Sequence, residues 1–485
     1  MQVDWFKSNS FKYLDKMALV EFGFSNALSF RELNERANSF ASDLQFTYNL
    51  KKGDKVVVVS SFSTDLISLF GAALKTGIVI VPINYRLNSE EISSLIEKVN
   101  ANLLISDSCV EAEANCKKTS FSDFTSHTDK NYVKVDLCED DDLFVFFTSG
   151  STGEQKAVRY THKMLYWNML NAKDSLAISK EDVSIATLPP FHSGGWNILL
   201  TPLLMNGGTV VINNYAPEKF FDIVSLYSVN KLVLIPTQMK MLYDAAVKQK
   251  SSVSKIDTIV VGGESLAHSL IDKWHDLDIK IRQGYGLTEA GPGITSLGNE
   301  YVYTKKGSVG KPNKYVDLEI VNTAGVPVKD YEIGEIVIRG NVVMPSYLFE
   351  NSNNSASWFY TGDLAYRDSD GFIFILDRKD DMYISGGENI YPSEVEKHLL
   401  SFEEIEEACV IGVDDEKWGK VGCAFVKLSD SFQFSGEKVF FDRLKSKIAK
   451  FKIPKKIIVL DSLPVNELGK TDRKQLKKNI NTILV

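Results

Sequence analysis

The sequence predicts an α/β protein: a large N-terminal domain of two parallel-type α/β subdomains with a small antiparallel β element, followed by a small α+β C-terminal domain. Three observations carry that prediction. Up to about residue 310, short β-branched runs alternate with helix-length stretches, the pattern of parallel strands joined by crossover helices on both faces. From there the texture changes to short strands separated by turn residues. Beyond Arg378, residues 379–485 hold enough helices and strands for a separate small domain.

In chain order, residues 29–38 (SFRELNERAN) hold a helix start. Residues 55–60 (KVVVVS) read as a buried strand, with a helix over 64–75 and a strand over 78–83 behind it. The unit recurs as helix 89–99 and strand 102–106, helix 217–227 and strand 231–235, then helix 237–248 and strand 255–261. Residues 316–322, 334–339 and 372–377 are short strands, bounded by the turns Thr323-Ala324-Gly325 and 368–371. The last region gives helix 393–400, strands 407–413 and 421–428, helix 435–449 and strand 457–459. No fixed-period repeat and no low-complexity segment interrupts this order.

Composition narrows the function classes. The chain has 485 residues, 44% hydrophobic and 24% charged, which excludes disordered and fibrous architectures. Its net charge of −8 comes without a lysine-rich stripe, so nucleic acid is not an expected partner. Five cysteines (Cys109, Cys116, Cys138, Cys409, Cys423) are too scattered for a disulfide framework or a zinc site and are expected to be reduced thiols. Residues 1–16 lack the apolar core of a signal peptide, and no apolar run approaches the ~20 residues of a membrane helix. The final four residues are not a Ser-Lys-Leu address. A cytoplasmic protein that is not an integral membrane protein is expected.

The most informative stretch is Phe146-Phe147-Thr148-Ser149-Gly150-Ser151-Thr152-Gly153-Glu154-Gln155-Lys156. An apolar strand runs into hydroxyls, two glycines and a lysine. Glycines let the backbone approach a ligand, and successive amides and hydroxyls then form an anion-binding concavity to which the lysine adds charge. A polyphosphate suits it. The spacing is not that of a Walker A loop, because two residues rather than four separate Gly150 from Gly153. A solvated Ser/Thr/Gly loop is the bland alternative on this stretch alone.

Gln283-Gly284-Tyr285-Gly286-Leu287-Thr288-Glu289 places a ring between two glycines, then a hydroxyl and a carboxylate. It is not a Rossmann fingerprint, since Glu289 stands where a third glycine belongs. Tyr285 can stack on a purine, and Thr288 with Glu289 can hold Mg²⁺ against phosphate oxygens. Tyr360-Thr361-Gly362-Asp363 presents an acid after a turn, suited to two ribose hydroxyls. Arg378 adds a forked donor, and Lys470 follows Gly469 near the end. Alone, each has an ordinary reading as a turn residue or a solvated charge.

In this order the motifs resemble the adenylate-forming superfamily: acyl-CoA synthetases, aryl-CoA ligases, adenylation domains of peptide synthetases and firefly-type luciferases. The resemblance runs over essentially the whole chain. One departure is Gln155, where the family usually has proline. The resemblance implies an ATP-dependent acid–thiol ligase with Mg²⁺ and coenzyme A, which forms an acyl-adenylate and passes the acyl group to a thiol. By motif position, Thr148, Ser149, Gly150, Ser151, Thr152, Gly153 and Lys156 would hold the β- and γ-phosphates. Gly262, Gly263 and Glu264 with Gln283, Gly284, Tyr285 and Gly286 would enclose adenine, and Asp363 and Arg378 the ribose. Thr288 and Glu289 would serve the α-phosphate and metal, and Lys470 would bridge α-phosphate and acid carboxylate. The resemblance also implies domains at 1–378 and 379–485, with the smaller one rotating about a hinge at Asp380. That rotation would bring Gly386 and Gly387 to the pantetheine of CoA.

The acid pocket is less legible. Pro189-Pro190-Phe191-His192-Ser193-Gly194-Gly195 resembles the segment whose histidine gates the carboxylate site. Gly194, Gly195, Gly262 and Gly291 remove side-chain volume, which suits a chain-like or flat aromatic acyl group. The expectation drawn from this is a fatty-acyl-type CoA ligase for a medium- or long-chain acid. The alternatives are an aryl-acid CoA ligase of the o-succinylbenzoate or 4-coumarate kind, and an acyl-AMP ligase serving an acyl carrier protein. A luciferase-like oxidation and a non-catalytic nucleotide-binding homologue rank last. A homodimer is compatible with all of them.

Overall fold

The computed structural model describes residues 3–23, 26–106, 114–124, 131–149, 155–213, 217–249, 253–263, 266–350, 357–429, 432, 436–465 and 471–483. By internal packing the chain divides into two compact units, Met1–Leu318 with Ile338–Phe359, and Glu319–Val337 with Tyr360–Val485. The first therefore gives up residues 319–337 and 360–378 relative to the boundary expected at 378.

Among the described residues the first unit contains three sheets. A six-stranded sheet runs in the order Lys117–Thr119, Leu103–Ser106, Lys55–Val59, Val79–Pro82, Asp142–Ser149, Gln155–Thr161. Its first five strands are parallel and the last returns antiparallel. Val56 to Val59 are all buried, as a strand covered on both faces requires. The crossover helix Thr64–Thr76 starts where Ser63 accepts from the Leu66 amide and stops at Gly77, whose φ of 71° only glycine adopts readily. Phe70, Phe144 and Trp196, all fully buried, pack their rings 5.1–5.7 Å apart at the centre. Burial of side chains this size contributes about 1.5–3 kcal/mol each.

A second sheet joins Ala27–Ser29, Met17–Glu21, Thr209–Ile212 and Val183–Ala186. The helix Phe30–Ser42 leaves it through a capping box, Ser29 and Glu32 bonding each other's backbone amides. The third sheet, in the order Lys231–Leu234, Thr258–Val261, Ile281–Tyr285, Thr295–Ser296, Lys311–Pro312, has a parallel half and an antiparallel half that meet at Ile281–Tyr285.

A four-stranded sheet, Asp317–Val321, Gly334–Arg339, Phe359–Arg367 and Ile373–Arg378, has most of its residues in the second unit, which also has a five-stranded C-terminal sheet. Tyr383–Ser385 and Glu388–Ile390 form a hairpin whose turn is Gly386-Gly387, with φ of 59° and 91°. Two left-handed turn residues match the strand twist, and glycines adopt that conformation most cheaply.

The structure departs from expectation in places. Asp363 does not follow a turn; it lies inside the strand Phe359–Arg367, with Gly362 bending that strand at φ 74°. The helix expected from 217 begins at Phe220 after a 3₁₀ turn, and the strand expected from 255 begins at Thr258. Cys116, Cys138, Cys409 and Cys423 are free thiols; burial pushes Cys409 up to about 12. Cys109 lies outside the described residues. Among those described, no helix is long and apolar enough to cross a membrane.

Candidate active site

The strands on either side of the glycine-rich stretch pair antiparallel. Thr148 pairs with Lys156 and Ser149 with Gln155, leaving 150–154 as the connection. Gln155, the departure from the family pattern, thus opens the returning strand. Gly150, Ser151, Thr152 and Gly153 lie outside the described residues, so their expected phosphate contacts are not placed.

Lys156 is placed. Its ammonium stands 4.8 Å from the centroid of the Tyr347 ring, and the Tyr347 hydroxyl donates to Glu289 Oε1 at 3.0 Å. The backbone locks this tyrosine in position: Tyr347 bridges to Val158, the Leu348 amide donates to the Ala157 carbonyl at 2.7 Å, and the Met344 amide to the Glu289 carbonyl at 2.7 Å. One aromatic side chain therefore touches both a cation and a carboxylate and fixes the spacing between them. Tyr347 sits in no recognisable motif, and sequence reasoning missed it.

The expected adenine residues come together at the ends of adjacent parallel strands. Val261 is in register with Gln283, so Gly262 and Gly263 run beside Gly284 and Tyr285. A Cβ on Gly262 would lie 3.2 Å from the Gly284 carbonyl oxygen, tighter than side chains normally tolerate, and Gly263 has a φ of 89°. The carboxyl ends of strands are where open α/β sheets bind ligands. Glu264 lies outside the described residues. Gly286 is enforced sterically, because a Cβ there would meet the Pro292 carbonyl oxygen at 2.1 Å. Behind this strip Arg282, also missed from sequence, is a buried clamp. It donates to the carbonyls of Leu297 (2.6 Å) and Ser175 (2.7 Å) and to Ser296 Oγ (3.1 Å), while burial lowers its pKa.

Thr288 and Glu289 form a 3₁₀ turn after the strip. Thr288 Oγ1 lies 3.0 Å from Ser193 Oγ, which brings in the His192 segment. His192 is half-buried, stands at the start of the helix Ser193–Asn197, and packs its ring 4.7 Å from Phe191. Gly195 does not enlarge a pocket. Its missing side chain makes room for the Pro189 carbonyl oxygen, 2.4 Å from where a Cβ would be. Gly194 would meet only the side chains of Ile198 and Leu188, and Gly291, at φ 62°, faces Asn168.

Among the described residues no cluster of three or more His, Cys, Asp or Glu could hold a metal. The protein offers the Glu289 carboxylate beside a hydroxyl. Mg²⁺ keeps its waters and binds through one or two carboxylates plus phosphates, so this donor set fits it.

The second unit carries the ribose candidates. Asp363 is directly opposite Arg378 in the sheet, and Arg378 Nε lies 3.0 Å from Asp363 Oδ1. Arg378 also donates to the Thr361 carbonyl at 3.0 Å. The next residues divide sharply. Lys379 is tied to Glu335 at 2.8 Å, and Asp381 to Lys477 at 3.5 Å and Arg473 at 3.7 Å. Asp380 between them is exposed, and its side chain makes no hydrogen bond or ion pair among the described residues. Gly386 leaves no room for a side chain, its Cβ position being 2.7 Å from the Trp418 ring, whereas Gly387 has open space. Lys470 lies outside the described residues; Val465 and Thr471 pair on either side of its segment.

Comparison with known proteins agrees with this geometry. Residues 6–348 match the AMP-binding enzyme family and residues 394–470 the AMP-binding enzyme C-terminal domain. The chain is 31% identical to a 2-succinylbenzoate–CoA ligase of Geobacillus sp. (strain WCH70), over 98% of this chain and 97% of that one. It is 30% identical to a feruloyl-CoA synthase of Amycolatopsis sp., over 93% and 94%. Among solved structures, o-succinylbenzoate CoA synthetase (MenE) from Bacillus subtilis with its acyl-adenylate intermediate superposes at a TM-score of 0.88, with 29% identity and 98% coverage of both chains. The same enzyme has been solved with ATP and a magnesium ion. The chain belongs to the AMP-binding enzyme family, and it is an ATP-dependent, AMP-forming CoA ligase.

Proposed function

We propose that this enzyme activates an aryl carboxylic acid. The observation that carries this reading is that relatives aligned over nearly the whole chain bear the names of two aromatic-acid ligases, 2-succinylbenzoate–CoA ligase and feruloyl-CoA synthase. The expectation of a medium- or long-chain acid gives way to the aryl alternative.

In the first half-reaction the acid carboxylate attacks the α-phosphorus of ATP and pyrophosphate leaves. In the second the CoA thiol attacks the acyl carbonyl and AMP leaves. Both need positioning and charge stabilisation more than a dedicated base. Lys156, with Thr148, Ser149 and residues 150–153, would hold the β- and γ-phosphates, and Gly262, Gly263 and Gln283–Tyr285 would bracket adenine. Glu289, oriented by Tyr347, would hold Mg²⁺, which would supply neutralisation of charge on phosphate oxygens. Thr288, bonded to Ser193, faces the α-phosphate, and His192 borders the carboxylate site. Asp363 accepts from the ribose hydroxyls with Arg378 alongside. Asp380 is the hinge between domains 1–378 and 379–485: the residues on either side are anchored and it is not.

ATP–pyrophosphate exchange over a panel of aryl and straight-chain acids, repeated with CoA and mass detection of the thioester, tests the substrate. 2-Succinylbenzoate or a hydroxycinnamate is expected to exceed decanoate in kcat/KM by tenfold or more; a preference for decanoate would return the fatty-acyl reading. For the ribose assignment, Asp363→Ala is expected to raise the ATP KM roughly tenfold or more, the loss of charge-assisted hydrogen bonds. Unchanged ATP kinetics would remove the assignment.

A further inference from the structure

We propose that Asn168 is a positioning residue for the acid-activating side of the site, a strut that fixes the Gly291-Pro292-Gly293 loop against the helical turn that follows His192. The inference rests on the assignment above of His192, Ser193 and Thr288 to that side.

Asn168 belongs to the helix His162–Ser175 and is 1% exposed. Its Nδ2 donates at 2.6 Å to the carbonyl of Asn197, the last residue of the helix that begins at Ser193. Its Oδ1 is buried without a donor among the described residues. That oxygen lies 3.1 Å from the place a Cβ would occupy on Gly291, and equally 3.1 Å from that on Gly293. Turning the amide over would set Oδ1 against the Asn197 carbonyl, so the orientation is determined.

An unpaired buried acceptor calls for a reason. Here the amide oxygen fills the volume that side chains at 291 and 293 would need, and so backs the two glycines, which have no side chains to anchor the loop on that face. Asn313 Nδ2 grips the Gly293 carbonyl at 2.9 Å, and the Pro292 carbonyl packs on Gly286. The loop directly follows the Thr288–Ala290 turn, whose Thr288 meets Ser193 at 3.0 Å. Asn168 thus ties together the two segments whose hydroxyls meet there. The adenine strip is held differently, by backbone pairing of Gly284 and Tyr285 with Ser296 and Thr295, and does not use Asn168.

The test is a double-mutant cycle on the full-length enzyme, read by ATP–pyrophosphate exchange and by Tm. The acid is whichever of ferulate, 2-succinylbenzoate and decanoate the wild type uses fastest. N168A is expected to lower kcat/KM for the acid tenfold or more while leaving the ATP KM within about twofold. G293A alone drives its methyl into Oδ1 and is expected to be similarly damaging. In the N168A background the methyl enters vacated space, so G293A becomes neutral or restorative in both activity and Tm. A proportional rise of acid and ATP KM in N168A would overturn the proposal, as would G293A being equally harmful in both backgrounds. If none of the three acids is turned over, the substrate reading falls on its own, and the Tm of G293A in the two backgrounds still decides the contact.

Discussion

Lys470→Ala is expected to slow acyl-adenylate formation by about 10²–10³-fold, while a synthetic acyl-adenylate offered with CoA is converted to thioester at close to the wild-type rate. The reason is where charge develops. As the carboxylate approaches the α-phosphorus, negative charge accumulates on the pentavalent centre and the incoming oxygen, and an ammonium placed there acts mostly in the transition state. The second half-reaction has no such centre. Single-turnover measurement of the two steps checks this, and an equal loss in both would sink the proposed division of labour. Lys470 itself lies outside the described residues; around its segment Val465 pairs with Thr471, the Asp472 amide donates to the Pro464 carbonyl at 2.7 Å, and the helix Arg473–Ile483 begins at once.

The second large effect concerns stability. Arg473 donates to Glu396 Oε2 at 2.8 Å and to the Val410 carbonyl at 2.6 Å, while the Val410 amide donates to Glu396 Oε1 at 2.6 Å. Glu396 is buried, which pushes its carboxyl pKa up, and Arg473 is the main influence opposing that rise. Arg473→Met leaves a buried carboxylate with no cation and is expected to destabilise the second unit by about 3–5 kcal/mol near pH 8. With the arginine gone, the carboxyl of the folded protein keeps its proton to still higher pH than that of the unfolded chain. The folded state then binds more protons in the window above the ordinary carboxylate range, so stability falls as pH rises through it. The deficit should therefore shrink toward pH 5, and Glu396→Gln added to Arg473→Met should recover part of it. Urea unfolding of the variants at pH 5 and pH 8 provides the measurement; a deficit indifferent to pH would show that Glu396 stays neutral whether or not Arg473 is present.

Much of the candidate site was legible because its residues cluster in short motifs. The apolar strand that runs into glycines and a lysine is legible in residues 146–156, but the return of that segment as a second strand from Gln155 is a finding of the structure. Gly262 and Gly284 are grouped by the family resemblance, and the parallel pairing of Thr258–Val261 with Ile281–Tyr285 is what sets them side by side. Asp363 and Arg378 were both named from sequence, though their pairing comes from strand register. The misreadings share a cause. Thr-Gly-Asp reads as a turn before Asp363, but ladder pairing draws the segment into a long strand, with Gly362 at φ 74° and a register shift between Leu364 and Ala365. Gly195 was taken for pocket space, yet its missing side chain faces the backbone of its own turn.

By itself the sequence determined the fold class, most of the order of elements and the family, since periodicity and turn residues act locally and the family's motifs are compact runs of residues. Only the tertiary structure decided that Tyr347 stands between Lys156 and Glu289, that Arg282 clamps the strand Ile281–Tyr285 to Leu297, Ser296 and Ser175, and that Asn168 backs the glycine loop. These are contacts between residues distant in the chain, made by single side chains whose neighbours depend on which strands and helices lie side by side. The acid pocket belongs to the same class. Its shape is set by packing of this kind, and a methylene more or less is worth only ~1–3 kcal/mol, too little to leave a signature in residue types.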